Sequence, residues 1–272
     1  MDSTKIWKAK MLDADFLRGR FIDFSYDLHT HDTACLALIT DGAIRIRMRG
    51  RDFIARKGDL YAIDADEPHA GTPVDGHGWS QRTIYVDLQK LRDRRNDGEA
   101  CAAPCFLRGP VIRDNHLTLL FQQLHSASEL STPQLAQDEH AVRFGDYLFG
   151  RYVDGESPKR PARAEGRAVA RAKEFIAHRL DRKLSLASIA AAADLPPFRL
   201  YRAFQREVGM TPHDYQRQAR IRRSVDLIKK GVPLADIAAA TGFVDQAHFT
   251  RSFFTRLAIT PGVYRDAQLN SD

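Results

Sequence analysis

The chain has 272 residues, of which 43% are hydrophobic and 28% charged, a composition typical of a globular protein with room for two domains. No apolar run approaches the roughly 20 residues of a membrane span, and the N-terminus lacks the layout of a secretion signal, so we expect a cytoplasmic protein without a membrane partner. The net charge of +6 is uneven, because residues 163–272 carry 19 Lys and Arg against 11 Asp and Glu, which favours a polyanion-binding second half. The odd count of three cysteines, Cys35, Cys101 and Cys105, argues against a disulfide framework and predicts ordinary thiols.

Residues 20–90 have the pattern of short strands separated by turns. The predicted strands are Cys35–Ile39, Ala43–Met48, Asp59–Ile63 and Thr83–Leu88. Asp41-Gly42, between two apolar runs, predicts a hairpin turn. This succession of strands predicts a small antiparallel barrel.

Residues 114–152 change to a helical period and predict two helices beside the barrel. The apolar faces of these helices are predicted to contain Leu117, Leu120, Phe121 and Leu124, followed by Val142, Tyr147 and Leu148. Residues 154–166 then hold two prolines and two glycines but no large apolar side chain. That composition predicts a linker.

The segment after the linker predicts a helix-turn-helix. A helix over Ala168–Leu180 precedes a second helix that Ser185 caps. Pro197 occupies the first position of the next helix, which runs to about Val208 and ends at Gly209. Its predicted buried stripe is Leu200, Phe204 and Val208. A helix, a tight turn and a helix with a basic outer face form the plan of a DNA-binding motif.

The same pattern occurs a second time. Leu186-Ala-Ser-Ile-Ala recurs 48 positions later as Leu234-Ala-Asp-Ile-Ala. Thr241-Gly242-Phe243 is the second predicted turn, and Gln246–Leu257 is the second predicted recognition helix. A connecting helix from Thr211-Pro212 to about Lys230 would span roughly 28 Å, close to the roughly 34 Å between successive major-groove faces.

Side chains on the outward faces of the two recognition helices are predicted to contact double-stranded DNA. Arg can bind guanine O6 and N7 bidentately, and Gln can pair with adenine. Phe198 and Tyr201 could alternatively pack under a loop, and Arg222 and Arg223 of the connecting helix contact phosphate or face solvent. The predicted contact residues are Phe198, Arg199, Tyr201, Arg202, Gln205, Gln246, Ala247, His248, Thr250 and Arg251.

Residues 167–265 resemble the DNA-binding domain of the AraC family of bacterial transcription regulators. The motifs that carry the resemblance are Leu186-x-x-Ile189-Ala190, Leu200-x-Arg202-x-Phe204, Gly209-x-Thr211-Pro212, Ile237-Ala238-x-x-x-x-Gly242-Phe243, Phe249-x-Arg251-x-Phe253 and Thr260-Pro261-x-x-Tyr264-Arg265. Pro196-Pro197 departs from the family, which usually has Ser or a similar cap there, and this would change how the first recognition helix enters the groove.

The first half is similar to the cupin-like effector-binding barrel of the same family, through His29-Thr30-His31, Gly42, Gly58-Asp59 and Pro68-His69. The resemblance implies a small-molecule effector inside the barrel and no cofactor. The candidate pocket residues are His29, His31, His69, Trp79, Gln81 and Thr83.

A metal site is the sharper alternative for the three histidines. Cupin enzymes use His-x-His, a Glu and a later His; His29, His31 and His69 fit, but Cys35-Leu36 stands near the place of the Glu and cannot supply a hard oxygen ligand. Three imidazoles could still bind zinc, or they could instead form hydrogen bonds within the barrel or to a ligand.

These observations predict a multidomain α and β protein. Residues 1–153 form a cupin-like antiparallel β-barrel with flanking helices, residues 154–166 a linker, and residues 167–272 an all-α domain with two helix-turn-helix motifs. The predicted function is an effector-controlled, sequence-specific transcription regulator that is not an enzyme. By the same resemblance the helices of residues 114–152 form a homodimer interface, although their apolar faces could equally pack only on their own barrel. RNA polymerase is a candidate partner. The alternative is a cupin-type metal-dependent enzyme with an accessory nucleic-acid module. The sequence leaves open the effector, the operator and whether transcription rises or falls.

Overall fold

The computed structural model describes residues 2–10, 12–95, 104–130, 132–154 and 165–269. They fall into two compact units: the first holds Met1–Ser25 and Thr30–Lys159, and the second holds Tyr26–His29 and Arg160–Leu269. Most of the predicted linker, together with Cys101, lies outside the described residues. The predicted domain boundaries at 153 and 167 therefore stay predictions.

An antiparallel sheet dominates the first half of the chain. Its central path runs β1-β2-β8-β4-β6-β10, with β5 and β7 paired to β4. A separate pair joins β9 to β11. The strands are β1 (Ser3–Ala9), β2 (Ala14–Phe21), β3 (Tyr26–His29), β4 (Ala34–Met48), β5 (Arg51–Arg56), β6 (Leu60–Ile63), β7 (His69–Pro73), β8 (Trp79–Val86), β9 (Phe106–Leu107), β10 (Val111–Ile112) and β11 (Val153–Asp154).

The predicted cupin-like antiparallel character is confirmed, but the sheet formed by the described strands does not close into a barrel. The prediction also missed β1 and β2, which pair with each other in register from Ser3 opposite Arg20 to Ala9 opposite Ala14. β2 then pairs with β8. The sheet therefore has two more strands at one side than the prediction for residues 20–90 included.

The predicted hairpin at Asp41-Gly42 is wrong. β4 continues without interruption through these residues, and its pairing with β8 shifts by one residue between Ile39 and Asp41, which is a β-bulge. Gly42 has a φ of +66°, and a Cβ there would meet the Gly78 carbonyl oxygen at 2.1 Å. A glycine is therefore needed here because the backbone of Gly78 approaches closely and the strand bends. Asp-Gly occurs both at such bulges and in turns, so the sequence alone does not distinguish them.

Three helices pack beside the sheet: α1 (Leu88–Arg95), α2 (Asn115–Glu129) and α3 (Gln134–Arg151). The predicted strand to Leu88 overshoots, because Asp87 accepts the backbone N–H of Gln89 and of Lys90 and so begins α1. The predicted apolar face of α2 is confirmed, with all four residues buried. In α3 Leu148 is buried, whereas Val142 is 62% exposed, which corrects its predicted place on the buried face.

The second unit is helical after β3. Its helices are α4 (Gly166–Ala177), α5 (Leu186–Ala193), α6 (Pro197–Val208), α7 (Pro212–Lys229), α8 (Leu234–Ala240), α9 (Gln246–Leu257) and α10 (Pro261–Leu269). α4, α5 and α6 pack on one another around a core that includes Ala172, Ile176, Ile189, Leu200 and Phe204. None of the helices described here has both the length and the apolar character needed to cross a membrane.

Candidate functional site

α5 and α6 form a helix-turn-helix whose ends follow from local sequence. Ser185 and Ser188 make a reciprocal capping box at the start of α5. Pro197 begins α6, and Gly209 ends it with a φ of +80°, a conformation that costs glycine little. Pro196, at the N-cap of α6, makes no side-chain capping bond, as expected from the departure noted in the sequence.

α8 and α9 repeat the arrangement with different terminal residues. Asp245 caps α9 by accepting the His248 N–H at 2.6 Å, so the second recognition helix has the side-chain cap that the first lacks. Ala258 occupies the left-handed position that Gly209 has in the first copy, with a φ of +57°. Phe249 and Phe253 are completely buried, with ring centroids 5.7 Å apart. Their burial fixes which face of α9 points to solvent.

The predicted DNA-contact residues all lie on the unburied faces of α6 and α9. Phe198 is 81% exposed, so it does not pack under a loop of the described structure. Tyr201, His248 and Thr250 are partly exposed. The remaining predicted contacts are exposed: Arg199, Arg202, Gln205, Gln246, Ala247 and Arg251. An anionic ligand can therefore approach both helices.

Glu165, just before α4, is a carboxylate that the sequence analysis did not single out. It accepts a hydrogen bond from Arg199 Nε at 2.8 Å and a second one from Arg206. These two hydrogen bonds hold the pKa of Glu165 below its usual value. One predicted DNA contact thus already has an anionic partner within its own unit.

Strand alternation divides β8 into two faces with different chemistry. Trp79, Gln81 and Thr83 share one face because they alternate along the strand, and all three are buried. Gln81 Oε1 accepts Trp79 Nε1–H at 2.8 Å and Tyr61 O–H at 2.9 Å. Gln81 Nε2 donates to Thr83 Oγ1 at 3.1 Å. The structure therefore joins the three predicted β8 residues into one buried polar network.

The three predicted histidines are also buried. His31 and His69 lie in the first unit with ring centroids 5.0 Å apart, and His29 ends β3 in the second unit. His29 Nδ1 lies 2.7 Å from the Asp27 carbonyl and His69 Nδ1 lies 2.9 Å from the Glu67 carbonyl. Because a carbonyl only accepts, each Nδ1 carries a proton, and in the neutral imidazole Nε2 then carries the lone pair.

Burial decides the charge state of His69. It lowers the pKa of His69 to about 4 against the opposing hydrogen bond to the Glu67 carbonyl, so this imidazole is neutral at neutral pH. Burial also raises the pKa of the Cys35 thiol well above its usual range, which keeps it protonated. His69 is therefore available as a neutral ligand for a divalent cation or a polar group.

Two tyrosines of this region were missed by the sequence analysis. Tyr61 donates to Gln81 from β6, and the ring of Tyr85 lies 4.9 Å from that of His31. Tyr85 could have been found, since it continues the alternation of Gln81 and Thr83. Tyr61 had no such signal, because it depends on the pairing of different strands.

Family comparisons cover most of the chain. Residues 12–144 match an AraC-like ligand binding domain, and residues 189–267 match a helix-turn-helix domain. The chain is 31% identical to the HTH-type transcriptional activator RhaR of Pectobacterium carotovorum, over 90% of this chain and 88% of that protein. It is 23% identical to the arabinose operon regulatory protein of Escherichia coli, over 81% of this chain and 76% of that protein.

A solved structure shows the same fold. ToxT from Vibrio cholerae aligns with a TM-score of 0.53 over 99% of this chain and 98% of that one, at 12% sequence identity. Both halves of the fold therefore occur together in a known architecture.

Proposed function

This chain belongs to the AraC family of transcription regulators, and we propose that it contacts promoter DNA with the outward side chains of α6 and α9. It is a DNA-binding regulator with an effector-binding half and a helix-turn-helix half. The observation that carries the residue assignment is the equivalence of Arg202 and Arg251, which are exposed at corresponding positions of the two recognition helices. Each can bind a guanine edge bidentately.

The other predicted contacts divide by chemistry. Arg199 would contact phosphate, which supplies affinity without sequence information. Gln205 and Gln246 offer amides to adenine, and the exposed ring of Phe198 offers an apolar face to a thymine methyl or a sugar. Tyr201, Ala247, His248 and Thr250 complete the proposed surface on the same faces.

Three variants test the assignment: Arg202→Ala, Arg251→Ala and the control Arg167→Ala, which removes an exposed charge from α4. Dissociation constants are measured on a duplex selected by the wild-type protein from a random pool and on its scrambled sequence. Loss of one bidentate contact should cost about 1–3 kcal/mol on the selected duplex and relax the preference at one base pair. The control should weaken both duplexes alike. An unchanged ratio for both recognition-helix variants would refute the assignment.

For the effector, the buried network of Trp79, Gln81 and Thr83, together with His29, His31 and His69, is the proposed binding region. Its support is the buried hydrogen-bond network on one face of β8, inside the segment that matches a ligand binding domain and that also contains the three buried histidines. We expect no cofactor beside the effector.

A thermal-shift screen tests this region. Full-length protein is screened against sugars, amino acids and aromatic acids, because a true ligand raises the melting temperature by mass action. A hit should stabilise the wild type and lose most of its effect in Thr83→Val, which removes the hydroxyl that Gln81 contacts. Equal stabilisation of the two proteins would place the ligand elsewhere.

A metal-dependent role for the first half is the second candidate, favoured by the buried His31 and His69, whose ring centroids lie 5.0 Å apart. His29 completes the predicted set of ligands. Three imidazoles match the ligands of zinc sites with an open position, and hydrogen bonds from two Nδ1 atoms to backbone carbonyls are the usual outer support of such ligands. Elemental analysis of the purified protein distinguishes metal binding from effector binding. Stoichiometric zinc or iron that is lost in His31→Ala favours metal binding. Absence of both metals from protein grown in their presence favours effector binding. Because the relatives are transcription regulators, we propose a binding role and no catalysis.

The helices α2 and α3 are the proposed homodimer interface. Leu119, Leu135 and Val142 are large apolar side chains exposed on these helices, and exposed apolar groups favour association. A cytoplasmic location and contact with RNA polymerase complete the proposal. Light scattering of Leu135→Glu and Val142→Glu tests the interface, since both should yield monomers; retained dimers would refute it.

A further inference from the structure

A row of three cations crosses three neighbouring strands of the sheet. Lys5 of β1 stands directly opposite Arg18 of β2, and Arg18 stands directly opposite Arg82 of β8. Directly opposed side chains of an antiparallel pair project from the same face, with Cβ atoms about 5 Å apart. Like charges in this arrangement destabilise a sheet, so the row requires negative charge to compensate it.

The protein supplies one carboxylate to the row. Glu129, at the end of α2, accepts from Arg82 Nη1 at 2.7 Å and lies 2.9 Å from Arg18 Nη1 and 3.8 Å from Lys5 Nζ. Its own side chain is only 9% exposed. Burial alone would raise its pKa, but the hydrogen bond and charge of Arg82 and the charges of Arg18 and Lys5 outweigh burial and lower it. A single ionised carboxylate thus faces three cations.

A fourth cation lies on the next row of the same face. Arg20 of β2 is two residues from Arg18, and its Nη1 lies 3.2 Å from Asp41 Oδ2 and 3.3 Å from Ser80 Oγ. Lys5, Arg18, Arg20 and Arg82 therefore share two carboxylates, Glu129 and Asp41, which leaves an excess of two positive charges.

These four cations line one cavity of about 470 Å³, a volume within the usual range for small-molecule sites. Thr40 and Ser80 add hydroxyls to its lining, and none of the lining residues carries a carboxylate. Arg82 and Ser80 alternate with Gln81 along β8, so the cavity lies on the sheet face opposite the buried Trp79–Gln81–Thr83 network. It is thus separate from the proposed effector region.

We propose that this cavity binds a small organic dianion, such as a dicarboxylate or a phosphate ester. The three guanidinium groups, those of Arg18, Arg20 and Arg82, have planar donor forks that match the oxygen geometry of carboxylate and phosphate. A charge of minus two balances the cationic excess and relieves the repulsion along the row. The hydroxyls of Thr40 and Ser80 can hydrogen-bond the rest of the ligand.

Isothermal titration of the full-length chain with succinate and with glucose 6-phosphate, at constant ionic strength set with sodium chloride, tests the site. The variants are Arg18→Gln and the control Arg51→Gln, which removes an exposed charge from β5 outside the cavity. Circular dichroism verifies that both retain the fold. We expect at least one of the dianions to bind the wild type, about tenfold weaker binding to Arg18→Gln and little change in Arg51→Gln.

The two ligands distinguish the sources of the negative charge. If only succinate binds, the ligand of the cavity is a dicarboxylate. If only glucose 6-phosphate binds, the ligand is a phosphate ester. Equal weakening in the two variants would reduce the effect to net charge and overturn the proposal. So would the absence of millimolar or tighter binding by both dianions.

Discussion

Replacing Asp114 with asparagine should destabilise the first unit, because one carboxylate joins α2 to α3. Asp114 Oδ1 accepts the backbone N–H of His116 at 2.9 Å and of Leu117 at 3.1 Å and so caps α2. Its Oδ2 accepts Tyr147 O–H at 2.9 Å and Tyr152 O–H at 2.7 Å, the first from α3 and the second from its C-cap. Burial opposes ionisation, but these four hydrogen bonds together lower the pKa of Asp114 to about 2.

The lowered pKa sets the size and the pH window of the effect. A fall from 3.8 to about 2 corresponds to about 2.5 kcal/mol at 1.36 kcal/mol per unit. Asp114 is partly exposed, and solvent screening reduces this to about 1–2 kcal/mol. Because the folded pKa lies below the unfolded one, this stabilisation is fully present above about pH 4 and is lost as pH falls towards 2.

Urea denaturation followed by tryptophan fluorescence measures the effect. Both tryptophans, Trp7 and Trp79, belong to the first unit, so their fluorescence follows this unit alone. Asp87→Asn is the matched control, because Asp87 caps α1 through two backbone N–H groups in the same way. At neutral pH Asp114→Asn should lose about 1–2 kcal/mol more than the control, and its deficit against the wild type should narrow at about pH 3. Equal losses in both variants, or a deficit that does not change with pH, would refute the role of the tyrosine hydrogen bonds.

The remaining predictions concern substitutions in the helical unit and one comparison substitution in α3. Glu165→Gln should strengthen duplex binding about two- to fivefold in a gel-shift titration, since Arg199 is released for phosphate. The control Glu174→Gln makes the same change at an exposed site of α4 and should have a smaller effect. Equal gains in the two variants would attribute the result to net charge. Gly209→Ala should lower the free energy of unfolding by about 1 kcal/mol, because alanine is strained at a φ of +80°. Gly150→Ala, in α3 with open space around it, should raise the free energy of unfolding by up to about 1 kcal/mol. Melting temperatures that shift in the same direction for both glycine variants, measured by circular dichroism, would contradict this reasoning.

The helical unit was largely predictable because its signals are local. The predicted bounds of both recognition helices are confirmed by α6 and α9, and Ser185, Pro197 and Gly209 act at the helix ends where the sequence placed them. A cap or a left-handed glycine depends on residues within one or two turns. The repeat then identified which side chains share a face. The DNA contacts themselves stay predictions.

The sheet was less predictable, because its pairing joins distant residues. The sequence pattern did not predict β1 and β2. Gly42 lies at a bulge inside a strand, not in a turn, and Val142 lies on an exposed face of α3. The sequence by itself determined where the two recognition helices begin and end and which side chains they expose, since backbone capping and helical period act over a few residues. Only the tertiary structure decided that Tyr61 meets Gln81, that Glu165 holds Arg199 and that Lys5, Arg18 and Arg82 stand in one row. Each of these contacts arises from strand register or packing between residues far apart in the chain.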